Sequence, residues 1–148
     1  MKKIILVEII SYFFVLLFLY TGLMKLIDFQ LFRLSLAKSP LLNPFGSALG
    51  ILVPVVELLV ALSLLAPRTQ NLGLRCSSIM MGVFTLYVGY MIYFLPHRLP
   101  CSCGGIIKEM NWHQHLYFNI LSTLIALLAL RMNSIQLKRS GQVVNSIL

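Results

Sequence analysis

The chain has 148 residues, of which 59% are apolar and only 11% are charged. A soluble domain carries about 25% charged residues and a disordered chain has low hydrophobicity, so this composition excludes an ordinary cytosolic enzyme and a disordered tail. The formal charge of +8 comes from basic residues that stand singly between apolar runs, which argues against nucleic-acid binding. One compact membrane domain is therefore expected.

Four apolar runs are long enough to cross a bilayer, because a membrane-spanning helix needs about 20 apolar residues. They cover about 4–26, 48–66, 74–95 and 114–131, and none has the alternation of a barrel strand. We predict an all-α, integral membrane four-helix bundle over 1–132 and a polar C-terminal tail over 133–148. The alternative for the first run is a signal peptide, but its length and the lack of a small-residue cleavage site favour a retained helix.

The distribution of Lys and Arg predicts the orientation of the spans, because cytoplasmic loops carry an excess of these residues. With the N-terminus inside, the inner segments hold seven and the outer segments hold five. Both termini are therefore expected in the cytoplasm, with the 27–47 and 96–114 loops outside. The first of these loops contains apolar residues among charges over 28–38, a pattern typical of a short interfacial helix.

Glu57 lies midway along the second span, where an intramembrane carboxylate costs about 2.5 kcal/mol or more. Lys25, at the end of the first span, is the nearest cation by depth and can extend its charge along its apolar stem. Tyr20 and Thr21 lie about one turn before Lys25 and are candidates for the same buried polar network. The pair is either a structural clip between two helices or part of a proton or substrate site.

Cys101 and Cys103 form a Cys-x-Cys pair in the second outer loop, between a proline and two glycines. A disulfide across this spacing needs strained torsions, and strained, exposed disulfides tend to be labile or catalytic. The pair is a candidate redox site. Two alternatives remain open: a static staple of the loop, and a Zn²⁺ or Cu(I) site shared with His113 and His115, although the spacing departs from that of usual zinc sites.

The fourth span begins with polar residues that share one helix face. His115, Asn119 and Ser122 recur at i, i+4 and i+7, whereas His113 points to nearly the opposite side. A polar stripe on a membrane helix usually faces the interior of the bundle. It is interpreted either as interhelical hydrogen bonding or as a proton relay or quinone head-group site beside the cysteines.

Four segments carry a resemblance to a known family: YTGLMKL at 20–26, VPVVELLVALSLL at 53–65, PCSCGG at 100–105 and NWHQHLYFN at 111–119. Together they resemble the MauE-type branch of the DoxX-like superfamily of small four-helix membrane proteins, over about residues 10–130. The resemblance implies a bacterial inner-membrane protein linked to methylamine utilisation and to maturation of a disulfide-rich periplasmic dehydrogenase subunit. It implies Cys101 and Cys103 as the redox pair, with Lys25 and Glu57 as the buried polar residues of the family.

The expected function is that of an inner-membrane thiol–disulfide component whose cysteine pair faces the periplasm. The candidate catalytic residues are Cys101, Cys103, His113 and His115, with an imidazole accepting the thiol proton. A quinone is the candidate electron acceptor, and a periplasmic thioredoxin-like protein or a disulfide-containing client is the candidate partner. The alternatives are a non-enzymatic assembly or chaperone subunit with a structural cysteine pair, and a Cys/His metal-handling protein.

Overall fold

The computed structural model describes residues 2–39, 42–94 and 111–145, and these residues are almost entirely helical. The helices are α1 (Lys2–Ile27), α2 (Phe29–Lys38), α3 (Gly46–Leu65), α4 (Gln70–Phe94) and α5 (Trp112–Asn145), and a 3₁₀ turn over Asn43–Phe45 precedes α3. Four segments of the described chain are long and apolar enough to cross a membrane: Ile5–Ile27, Asn43–Leu65, Gln70–Phe94 and Trp112–Ile135. The predicted all-α membrane bundle is confirmed.

The helices are longer than the apolar runs that predict them. The second span begins at Asn43 rather than 48, and the third begins at Gln70 rather than 74. The added residues are mostly small or polar, so a pattern based on apolar residues misses them. α5 continues to Asn145, through most of the stretch predicted as a polar tail. Gln, Lys and Arg in that stretch are good helix formers, which explains the continuation.

α2 occupies the segment predicted as an interfacial helix, and it is amphipathic. Phe32 and Leu36 are buried, whereas Leu34 faces outward. Residues i and i+4 share a helix face, so the two buried side chains together dock α2 against the bundle, where it contacts α3. Beyond α2, the Tyr87 hydroxyl donates a hydrogen bond to Ser39 Oγ at 3.0 Å, which links the end of α2 to α4.

The helices pack as two close pairs, α1 with α3 and α4 with α5. The pairs meet at an apolar core in the half of the bundle where α1 begins and α3 ends. Its buried members include Phe14, Phe18, Leu74, Ala126 and Ala129. Lipid tails are as apolar as these side chains, so close packing rather than the hydrophobic effect holds this core together. The other half of the bundle, where α1 ends and α5 begins, encloses a cavity.

Gly73 allows α4 to approach the end of α3 closely. A Cβ at this position would lie 2.7 Å from Ser63 Oγ and 2.9 Å from two atoms of Leu64. We expect Gly73→Ala to lower the free energy of unfolding by about 1–2 kcal/mol, because the added methyl group overpacks this contact. Chemical unfolding of the purified protein in detergent, followed by circular dichroism, measures the change.

Gly82→Ala is the matched control on the same helix. Nothing in the described part of the chain lies within 4 Å of a Cβ at Gly82. This substitution should be neutral, or stabilising by up to about 1 kcal/mol, because alanine has the higher helix propensity. Equal losses of stability in the two variants would contradict the close approach at Gly73.

Candidate functional site

A cavity of about 250 Å³ lies in the half of the bundle where α1 ends and α5 begins. All five helices contribute to its wall, which is mostly apolar. The polar side chains on the wall are Thr21, Lys25, Ser35, Glu57, Tyr87, His115 and Asn119. The volume corresponds to about eight water molecules at ~30 Å³ each, so it exceeds the space of one structural water. Small-molecule sites commonly combine an apolar wall with a few convergent polar groups, as this cavity does.

Lys25 and Glu57 form an ion pair on the cavity wall. Lys25 Nζ donates a hydrogen bond to Glu57 Oε1 at 2.5 Å, and only 1% of Glu57 is exposed. Gly22 brings α1 against α3 near the pair, because a Cβ there would lie 3.2–3.3 Å from three atoms of α3. Lys25 Nζ also lies 5.7 Å from the ring centroids of Phe32 and Phe84, within the range of cation–π attraction. The ammonium group therefore has favourable contacts on three sides.

Tyr20 is not part of this buried group, and its predicted place there is wrong. The residue is 36% exposed and does not line the cavity, whereas Thr21 is buried and does line it. Consecutive residues on a helix point about 100° apart, so α1 turns Tyr20 outward when it directs Thr21 inward. Thr21 thus shares the cavity wall with Lys25 and Glu57.

α5 directs towards the cavity the polar face that its sequence spacing predicts. His115 and Asn119 line the cavity and are 9% and 3% exposed, and Ser122, next on the same face, is buried as well. His113 is exposed, because it lies two residues before His115 on the helix. The two imidazoles therefore do not converge on one point. Within the described ranges, no group of three His, Cys, Asp or Glu side chains is arranged to hold a metal ion.

Three buried polar atoms on the cavity wall have no hydrogen-bond partner among the described residues. They are Glu57 Oε2, His115 Nδ1 and Asn119 Nδ2. An unpaired buried polar group costs about 1–3 kcal/mol, so native proteins rarely place three of them around one space unless something binds there. The three atoms stand on two different helices, α3 and α5. They are available to hydrogen-bond a molecule inside the cavity.

Two further polar residues of the wall, Ser35 and Tyr87, have weaker sequence signals than Glu57. Ser35 follows the buried Phe32 by three residues on α2, and Tyr87 follows Phe84 by three residues on α4. Residues three apart share a helix face, so the spacing places each of them on the same face as a phenylalanine. This spacing predicts a position on the cavity wall only when the buried face of each helix is known. Neither residue is costly enough in a membrane to indicate a functional site by itself.

Cys101 and Cys103 lie outside the described residues. The chain leaves α4 at Phe94 and enters α5 at Trp112. Both points are at the end of the bundle that holds the cavity, because Tyr87 of α4 and His115 of α5 are within about two turns of them. The described residues that flank the two cysteines in the sequence thus lie at the cavity end of the bundle.

The first three spans, most of the fourth and the cavity wall fall within the part of the chain that matches a known family. The family model of the methylamine utilisation protein MauE matches residues 3–132. The chain belongs to the MauE family. Membership of the MauE family identifies a multi-pass membrane protein and suggests an accessory role in methylamine utilisation. Comparisons with curated proteins and with solved structures give no match.

Proposed function

We propose that this member of the MauE family is an inner-membrane thiol–disulfide component that oxidises a periplasmic partner through Cys101 and Cys103. A thiolate of the partner attacks the disulfide of the pair and forms a mixed disulfide, which a second thiolate of the partner resolves. The partner leaves with a new disulfide, and the pair remains as two thiols. Two electrons and two protons thus pass from the partner to the cysteine pair. The candidate partners are a thioredoxin-like protein and a disulfide-containing client.

The observation that carries this proposal is where the described chain stops before the cysteine pair and resumes after it. Phe94 ends α4 and Trp112 begins α5, both at the half of the bundle that contains the cavity. His113, in the first turn of α5, is exposed at this end and is our candidate for the acceptor of a thiol proton. The excess of Lys and Arg in the inner segments favours a periplasmic location for this end, where disulfides persist.

Reoxidation of the pair requires an electron acceptor, and we propose a membrane quinone. The two thiols of Cys101 and Cys103 lose two electrons and two protons as their disulfide forms, and the quinone takes up both and becomes a hydroquinone. A second membrane protein is the alternative acceptor. The chain has three cysteines and Cys76 lies near the start of α4, at the opposite end of the bundle, so no second thiol pair is available within this protein.

Trapping of the mixed disulfide tests the proposal. In the full-length protein in bacterial membranes, Cys103→Ala leaves Cys101 as a single thiol, and Cys101→Ala leaves Cys103. Thiol–disulfide exchange is reversible, so a single thiol can attack the disulfide of an oxidised partner and form the same mixed disulfide, but it has no neighbouring thiol to displace the partner and complete the exchange. One of the two variants should therefore accumulate this adduct. Non-reducing gels should show an adduct that is absent from the wild type and disappears on reduction.

Cys76→Ala is the matched control, because Cys76 is a free, half-buried thiol of α4. It should trap nothing, and the adduct of Cys103→Ala should persist when Cys76→Ala is added. The proposal fails if neither single variant traps a partner and the Cys101→Ala/Cys103→Ala variant supports growth on methylamine like the wild type. A pair that stays oxidised below about −300 mV would instead indicate a structural staple in an assembly or chaperone subunit.

A further inference from the structure

We infer that the cavity between α1 and α5 binds an uncharged planar ring with oxygen substituents, of the quinone and hydroquinone class. This inference rests on the proposed function for the role of that molecule, because a quinone is the proposed acceptor of the electrons. The wall residues that carry the inference are all described residues. Four features of the wall carry the inference: its charge balance, its aromatic lining, its volume and its unpaired polar atoms.

The charge on the wall favours a ligand without net charge. The ammonium of Lys25 and the carboxylate of Glu57 neutralise one another through their hydrogen bond. Among the residues that the structure describes, no other Asp, Glu, Lys or Arg lines the cavity. A charged ligand would therefore be buried in the apolar interior without a counter-ion, at a large cost in free energy. An uncharged molecule avoids this cost and can also enter from the membrane.

The lining of the cavity favours a planar ring over an acyl chain, and the volume is sufficient for one. Aromatic side chains from four helices surround the space, and they are Phe18, Phe32, Phe84, Tyr87 and Phe118. Aromatic rings attract one another in offset-stacked and edge-to-face arrangements, so this wall suits a ligand that is itself a flat π-system. A space of about 250 Å³ is large enough for one substituted ring.

The unpaired atoms favour oxygen substituents on that ring. Asn119 Nδ2 is a donor, and a ring oxygen can accept its hydrogen bond in both the quinone and the hydroquinone. Glu57 Oε2 is an acceptor, and the hydroxyl of a hydroquinone can donate to it. His115 Nδ1 is available to a second ring oxygen. An oxygen-free ring or an acyl chain would leave all three atoms buried and unpaired.

Trp112 provides a direct test of this site. It is the one tryptophan of the chain, and it packs against the cluster of Val88, Ile92 and Leu116, of which Val88 lines the cavity. The Cys101→Ala/Cys103→Ala protein in nanodiscs is titrated with a short-chain benzoquinone, and the fluorescence of Trp112 is recorded. We expect saturable quenching, which the matching hydroquinone reverses by competition and an alkylbenzene of the same size does not. Because this protein lacks the cysteine pair, its binding is independent of disulfide exchange.

Two cavity variants and one control decide the result. Asn119→Leu removes the donor and should weaken benzoquinone binding about tenfold, the effect of losing one buried hydrogen bond. Val53→Phe extends a larger side chain from the wall and should abolish saturable quenching. Tyr117→Phe changes an outward-facing residue of α5 and should bind like the parent protein. Circular dichroism checks that each variant is folded.

The inference is overturned if quenching does not saturate, if all variants quench equally, or if the alkylbenzene competes as well as the hydroquinone. The first result would mean that the cavity holds only water, and the last that it accepts any apolar molecule. Trapping of a partner through Cys101 or Cys103 together with any of these results would leave the disulfide proposal intact and refute the quinone site alone. Saturable benzoquinone binding without trapping of a partner would support the quinone site and refute the disulfide proposal.

Discussion

Lys25→Met should destabilise the bundle more than any other substitution proposed for this protein, by about 3–5 kcal/mol. Methionine keeps the length and apolar character of the stem but removes the ammonium group that hydrogen-bonds Glu57 Oε1. The carboxylate then remains in the bundle without a counter-charge, and an uncompensated buried charge is among the most costly defects in a protein. Unfolding of the purified protein in detergent measures the loss.

The double variant Lys25→Met/Glu57→Leu should recover most of that stability. Replacing both partners of a buried ion pair by apolar residues is often neutral, because the cost of desolvating two charges disappears together with their attraction. Lys38→Met serves as the lysine control, since Lys38 is exposed at the end of α2, and it should change stability by less than about 0.5 kcal/mol. A double variant no more stable than Lys25→Met would contradict the pairing.

The same double variant separates the two roles that the sequence leaves open for the ion pair. As a structural clip, the pair matters only through stability, so a folded Lys25→Met/Glu57→Leu protein would retain ligand binding. As part of a binding site, Glu57 contributes its second oxygen, Oε2, to the ligand. Competition by hydroquinone should then weaken in the double variant although the bundle is intact. The unfolding measurement thus reports on Glu57 Oε1, which pairs with Lys25, and the binding measurement reports on Glu57 Oε2.

The sequence predicts the pairing of Glu57 with Lys25, because burying either charge in a membrane costs much free energy and few oppositely charged residues lie at the right depth. It misplaces Tyr20, because depth along a helix does not determine which face the helix turns inward. The rotation of α1 depends on its contact with α3 at Gly22, a contact between residues far apart in the chain. His115 and Asn119 avoid this difficulty, since two polar residues spaced at i and i+4 define a face by themselves.

The cavity could not be predicted from the sequence, although four helices could. Its existence depends on how the pair of α1 and α3 meets the pair of α4 and α5, and hydropathy carries no information on that arrangement. In one half of the bundle, apolar side chains interdigitate around Phe14. In the other half, aromatic side chains and α2 line a space between the two helix pairs. Ser35 and Tyr87 acquire a role only through this geometry. The two halves of the bundle should accordingly respond differently to the loss of a side chain.

Phe14→Ala should lower the free energy of unfolding by about 2–3 kcal/mol, whereas Phe13→Ala should cost less than about 1 kcal/mol. Phe14 is 0% exposed and stacks on Phe18 with 5.8 Å between the ring centroids, whereas Phe13 is 40% exposed. In soluble cores such a truncation costs about 3–5 kcal/mol, part of which is the transfer of the side chain from water. In a membrane this transfer contribution is absent, because the side chains of separated helices already lie in an apolar solvent.

The comparison of Phe14 with Phe13 isolates packing from burial in lipid, because both variants delete the same atoms from neighbouring positions of α1. The two rings are themselves in contact, edge to face at 5.3 Å, so Phe13→Ala loses one ring contact but opens no void inside the bundle. Unfolding both variants in the same detergent gives the difference directly. Equal losses would mean that interdigitated side chains do not stabilise the half of the bundle that contains the apolar core. The ion pair at the cavity would then contribute more to stability than this core does.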